Sequence, residues 1–80
     1  MRIDKFLKVS RILKRRTVGK EACEEGKIAV NGKEVKPSYR VKEGDEVELR
    51  YASGAVKFRI LKIKETVKKD EASSLYEVIS

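Results

Sequence analysis

The sequence predicts a small α+β domain, with two short N-terminal helices packed on a small, mostly antiparallel sheet. Three observations carry this. Apolar residues in the first quarter recur at helical spacing, at 3, 6, 7 and 13. After Gly26 the period changes to two, around an Asn-Gly pair. The chain has 80 residues, and a chain of that size buries only about 60% of its unfolded surface, enough for one thin core.

Taken in order, the first helix spans Ile3 to about Ser10. At 100° per residue, Ile3, Phe6 and Leu7 point one way, and Asp4, Lys5, Lys8 and Arg11 group opposite them. Ser10 falls inside the apolar stripe and Ile12 outside it, so the helix ends near residue 10. A second helix starts at Thr17, whose hydroxyl suits an N-cap. Position 20 is Lys, so the reciprocal Glu or Gln of a capping box is missing. Val18, Ala22 and Cys23 are expected to face the core, and Gly26 fits the left-handed position just past a helix end.

The stretch KIAVNGKEV alternates around Asn31-Gly32, the signature of a type I′ hairpin. Pro37 then ends ladder pairing, and residues 42–45 form a turn. VELRY (47–51) and AVKFRILKI (55–63) alternate with period two and are joined by Ala52-Ser53-Gly54, a second hairpin. Residues 66–74 are polar and read as a short helix or an irregular loop. LYEVI (75–79) reads as a final edge strand. The expected organisation is one domain over 1–65 with a C-terminal extension, 66–80, packed on the same domain.

Composition excludes several function classes. The longest apolar run is far short of the roughly 18 residues of a membrane span. The opening MRIDKF alternates charge with apolar residues, unlike a signal peptide. One cysteine forbids an intramolecular disulfide and points to a reducing, cytoplasmic location. There is no histidine, the commonest general base and metal ligand. Cys23 lacks a CxxC partner, Glu24-Glu25 and Glu46/Glu48 read as surface charge, and the glycines are spaced as turns. No enzyme, metal or cofactor is therefore expected.

The charge is placed unevenly. Residues 1–20 carry eight basic side chains and one acid, while 21–80 carry twelve of each, so the whole excess of +7 lies in the first quarter. A localised basic patch is the footprint of a polyanion binder. Lys14, Arg15 and Arg16 are expected in the loop before the second helix, whose N-terminus offers free N–H groups and the positive end of the helix dipole. Lys20 stands one turn further in. Lys5, Lys8 and Arg11 are expected on the exposed face of the first helix, with Arg2 before it. Asp4 has two readings: it complements the first helix and pairs with Lys8, or it orients Arg2 or Arg16 for a fork-like phosphate contact.

Helix 2 carries Glu21, Glu24 and Glu25, and the chain has no Gln, a poor complement to a DNA major groove. No aromatic residue lies on the basic face, which disfavours single-strand stacking. Structured RNA recognised through its backbone is what remains.

R-I-D-K-F-L at 2–7, R-R-T-V-G-K-E-A at 15–22, G-K-I-A-V-N-G-K-E-V at 26–35 and V-K-E-G-D at 41–45 together resemble the RNA-binding domain first seen in small-subunit ribosomal protein S-four, the alpha-L motif. Among its stand-alone members the resemblance is to ribosome-associated quality-control factors, and it continues through V-K-K-D-E-A-S-S-L-Y-E-V-I at 67–79. It implies a non-enzymatic factor that binds 23S rRNA and peptidyl-tRNA on obstructed large ribosomal subunits. There it would hold P-site tRNA while a partner protein delivers charged tRNA for template-free alanine tailing. The resemblance puts RNA contacts on Arg2, Asp4, Lys8, Arg11, Arg15, Arg16 and Lys20, with Arg2 and Arg16 in the best-matched motifs; Lys5 and Thr17 complete the expected surface. The expected state is a monomer. Two alternatives stand beside this: a heat-shock or ribosome assembly factor that binds the large subunit without tailing, and a protein-interaction module for an acidic partner.

Overall fold

Two helices lead the chain in a computed structural model covering residues 1–80: α1 (Ile3–Val9) and α2 (Arg16–Glu24). Five strands follow, β1 (Ile28–Val30), β2 (Lys33–Glu34), β3 (Glu46–Tyr51), β4 (Gly54–Ile60) and β5 (Tyr76–Val78), with a 3₁₀ helix at Lys69–Leu75 before the last. The strands form one sheet in the order β2-β1-β3-β4-β5, every pair antiparallel. The α+β class is as the sequence predicts, with a sheet that is wholly rather than mostly antiparallel.

The core is built from the residues the periodicities select. Ile3, Phe6 and Leu7 of α1, Cys23 of α2, and Ile28, Val30, Val47, Phe58 and Ile60 of the sheet form one buried cluster, closed by Val41 and Leu75. The register aligns Val30, Val47 and Phe58 across three strands. Leu75 and β5 therefore belong to the same packed unit, and Tyr76 meets Phe58 edge-on at 5.5 Å between ring centroids.

The β1–β2 turn follows the Asn-Gly prediction. Asn31 and Gly32 have φ of 52° and 86°, both in the left-handed region that a type I′ turn demands. Asn31 also does more than turn. Its Nδ2 donates to the buried Asp45 carboxylate at 3.1 Å and its Oδ1 accepts from the Glu46 N–H at 3.0 Å, tying this turn to the one at 42–45.

Four local expectations are corrected. Helix α2 begins at Arg16, with Arg15 in the extended N-cap position and no side-chain cap bond, so Thr17 lies inside the first turn. Arg16 is therefore helical rather than in the loop. Val18 is exposed, and Gly19 faces the core side instead, since α2 crosses α1 there: a Cβ on Gly19 would lie 3.4 Å from the Asp4 carbonyl. β4 stops at Ile60, because the N–H groups of Leu61 and Lys62 turn to the Leu75 carbonyl, at 2.8 and 3.3 Å. Arg11 lies past the end of α1, in the left-handed region at φ 61°, rather than on its exposed face.

Candidate nucleic-acid interface

The loop after β2 sets the start of α1. Ile3 and Asp4 donate their N–H groups to the carbonyls of Tyr39 and Pro37, at 2.7 and 3.4 Å, satisfying donors that a helix start leaves free. Arg2 bridges to Arg40 across the same contact. This fixes the backbone of Arg2 and Asp4 at the edge of the basic face.

Asp4 is the centre of that edge. The helical wheel groups it with the solvated lysines, yet it is buried, with its side chain 3% exposed. The cause is the α1–α2 crossing at Gly19, which covers it. Its carboxylate accepts from Arg2 Nε at 3.2 Å and Nη2 at 3.0 Å, a two-pronged contact, and lies 3.5 Å from Arg16 Nε. It also accepts the Lys5 N–H at 2.8 Å. The i+4 pairing with Lys8 does not form. Of the two readings of Asp4, the geometry is that of an acid holding two arginines. Both arginines stay about half exposed, so each retains donors facing outward. A buried carboxylate needs such partners, because removing a charge from water without pairing is costly.

Six of the eight basic residues of the first quarter line one of two grooves. One lies between α1 and the segment after β4, lined by Lys5, Lys8, Arg11 and Arg16 opposite Glu65, Thr66 and Val67. The other lies between α2 and the loop after β2, and brings Arg2 and Lys20 together with Lys36. Arg15 and Thr17 are exposed at the start of α2 and line neither groove, as is Lys14 before them. The first turn of α2 contains no acid, so its positive end is left open to a phosphate.

Lys36 and Arg40 are basic residues beside Arg2 that the sequence reading passes over. A signal exists: residues 33–42 carry four basic side chains and one acid. Averaging residues 21–80 to zero hides it, and only the α1 start packing on Pro37 and Tyr39 brings that stretch to Arg2. The single thiol, Cys23, is buried near Asp4 and pushed up to about 11 by burial first, then by the charges of Asp4 and Glu24. It is therefore a protonated core residue at neutral pH, a poor nucleophile.

Comparison with known proteins follows from this geometry. The S4 domain model matches residues 1–47, the stretch that holds both helices and the Arg2–Asp4–Arg16 cluster. A protein of Halalkalibacterium halodurans named RQC P-site tRNA stabilizing factor is 58% identical over 78 residues, covering 98% of this chain and 89% of the relative. The chain belongs to this family of S4-domain proteins. The Bacillus subtilis protein of the same name is 46% identical, over 99% of this chain and 92% of its own. Among solved structures, the trimeric Vibrio cholerae Heat Shock Protein 15 superposes with a TM-score of 0.91 at 32% identity, over all of this chain and 82% of that one. Family membership makes this an RNA-binding, non-enzymatic factor of ribosome-associated quality control. No helix is long and apolar enough to cross a membrane.

Proposed function

We propose that this protein binds 23S rRNA and peptidyl-tRNA on obstructed large ribosomal subunits and stabilises the P-site tRNA during template-free alanine tailing of the stalled chain. A partner protein would supply charged tRNA, and this chain would act as a monomer. The observation that carries the reading is the pair of half-exposed arginines, Arg2 and Arg16, held by the buried carboxylate of Asp4. A guanidinium fixed along one edge presents its remaining N–H groups in a set direction, the arrangement suited to phosphate oxygens. Lys8, Arg11, Arg15, Thr17 and Lys20 surround this pair as positive or N–H-rich surface, and Lys36 adds to it. The names of the relatives supply the tRNA and its P-site setting.

The test is co-sedimentation with large subunits that carry peptidyl-tRNA. Arg16→Ala should weaken binding about tenfold or more and lower the salt dependence by about one phosphate contact. Its thermal unfolding temperature should fall only slightly, because Arg2 keeps both of its hydrogen bonds to Asp4 and Arg16 is half exposed. Unchanged co-sedimentation at moderate salt would place the site elsewhere.

A second reading, a heat-shock factor on the large subunit without a tailing role, is favoured by the likeness to Heat Shock Protein 15. Tail composition of stalled chains in a deletion strain separates the two: loss of alanine tails supports the first reading, unaltered tails the second.

A further inference from the structure

The segment joining β4 to the 3₁₀ helix forms one wall of the basic groove, although it lies outside the S4 match. Ile63 and Val67 pack against the core and pin the segment, so Lys64, Glu65 and Thr66 arch outward between them. Lys62, Lys64, Lys68 and Lys69 are all exposed. Across 61–69 there is one acid, Glu65. It is also the residue that reaches across the groove, placing Oε2 3.0 Å from Lys5 Nζ. The groove thus has four cations on its α1–α2 side, three of which (Lys8, Arg11 and Lys5) come from α1 or its end, and a single carboxylate opposite.

That carboxylate is not needed to hold the segment, which its two apolar anchors already fix. Its side chain is 75% exposed, and an ion pair so solvated contributes little to folding. What it does is occupy Lys5. A carboxylate 3.0 Å from an ammonium sits where a phosphate oxygen would sit, and one negative charge is exchanged for another when RNA enters.

We propose that the groove between α1 and residues 65–67 is the part of the RNA-backbone surface in which Glu65 occupies Lys5 as a built-in competitor that an RNA phosphate must displace. This rests on the RNA-binding reading above and deepens it. The ligand is a phosphodiester segment running along Lys5, Lys8 and Arg11, beside the Arg2–Asp4–Arg16 cluster. Glu65 lowers affinity for a polyanion that puts a phosphate at Lys5, because the Lys5–Glu65 pair must first be broken, and so tunes affinity from outside the S4 domain.

The experiment measures binding of a folded tRNA transcript to the full chain across a range of KCl concentrations. It uses Glu65→Gln, Lys5→Gln, the double variant, and Arg2→Ala as the reference for the main site. Glu65→Gln should bind about three- to tenfold tighter at low salt, with the log–log salt slope steeper by about 0.7 to 0.9, the equivalent of one freed phosphate contact. In the Lys5→Gln background, Glu65→Gln should change nothing. If Arg2→Ala loses binding while Glu65→Gln matches the wild type, the groove proposal fails and the main reading stands. If Glu65→Gln tightens binding equally with and without Lys5, the effect is one of net charge and the proposal is likewise overturned. If Arg2→Ala retains full affinity, the RNA reading itself falls, and this proposal with it.

Discussion

Two single residues separate binding from folding. Asp4 accepts two hydrogen bonds from Arg2 and forms an ion pair with Arg16 at 3.5 Å while nearly inaccessible to water. Asp4→Asn keeps the shape and removes the charge, leaving two guanidiniums that repel each other and swing free. RNA affinity should fall about five- to tenfold, against a stability cost of about 1 kcal/mol because the arginines stay solvated. Titration with labelled tRNA alongside thermal unfolding checks the split; equal losses in both would mean Asp4 is only structural. Arg11 gives the opposite dissociation. Its φ of 61° places a non-glycine residue in the left-handed region, a strain of about 1 kcal/mol or more. Arg11→Gly should leave the melting temperature unchanged or raise it by a few degrees while weakening binding several-fold. Arg11→Ala should lose the same binding without the relief.

At the scale of elements, α2 carries its charges in the order that its dipole disfavours. Arg15 and Arg16 stand at its N-terminus and Glu24 and Glu25 at its C-terminus, with only Lys27 pairing Glu25 at 2.8 Å. Anions favour the first position and cations the last. The helix thus gives up stability to concentrate positive potential at its open end. Arg15→Asp reverses this. The N-cap backbone is already extended, at φ −133° and ψ 142°, so an Asp there can accept a first-turn N–H. The helix should gain about 0.5 to 1 kcal/mol. Calorimetry should show a higher melting temperature, and subunit binding should fall; a lower melting temperature would show that Arg15 stabilises the helix in some other way. Element boundaries were the least legible feature of the sequence. Thr17 is a better N-cap by chemistry than Arg15, yet the chain is extended at Arg15 and helical from Arg16 with no side-chain cap bond.

For the whole molecule, the thin core makes one titration visible globally. Burial and the charges of Asp4 and Glu24 push Cys23 from 9.0 to about 11. The folded state therefore binds the proton more tightly than the unfolded chain. This leaves stability intact below pH 9, and between pH 9 and 11 the unfolded state alone releases the proton. Stability should fall by up to about 2 kcal/mol across that window. Denaturant unfolding at pH 8 and pH 11 should show a steeper loss for the wild type than for Cys23→Ala; equal slopes would mean the thiol ionises without resistance.

Sequence alone determined the class of fold, the two hairpins and the core, because periodicity and turn chemistry are local and the Asn31-Gly32 pair has few other uses. It also determined where the positive charge lies, because eight basic residues against one acid in the first quarter need no geometry to read. Tertiary structure alone decided how that charge is arranged. The helix crossing buries Asp4 and turns a lone acid into the support of two arginines. The docking of α1 on Pro37 and Tyr39 brings Lys36 to Arg2. The anchors Ile63 and Val67 carry Glu65 across to Lys5. Each joins residues far apart along the chain, or hides one that a helical wheel leaves in water, and local patterns carry no record of either.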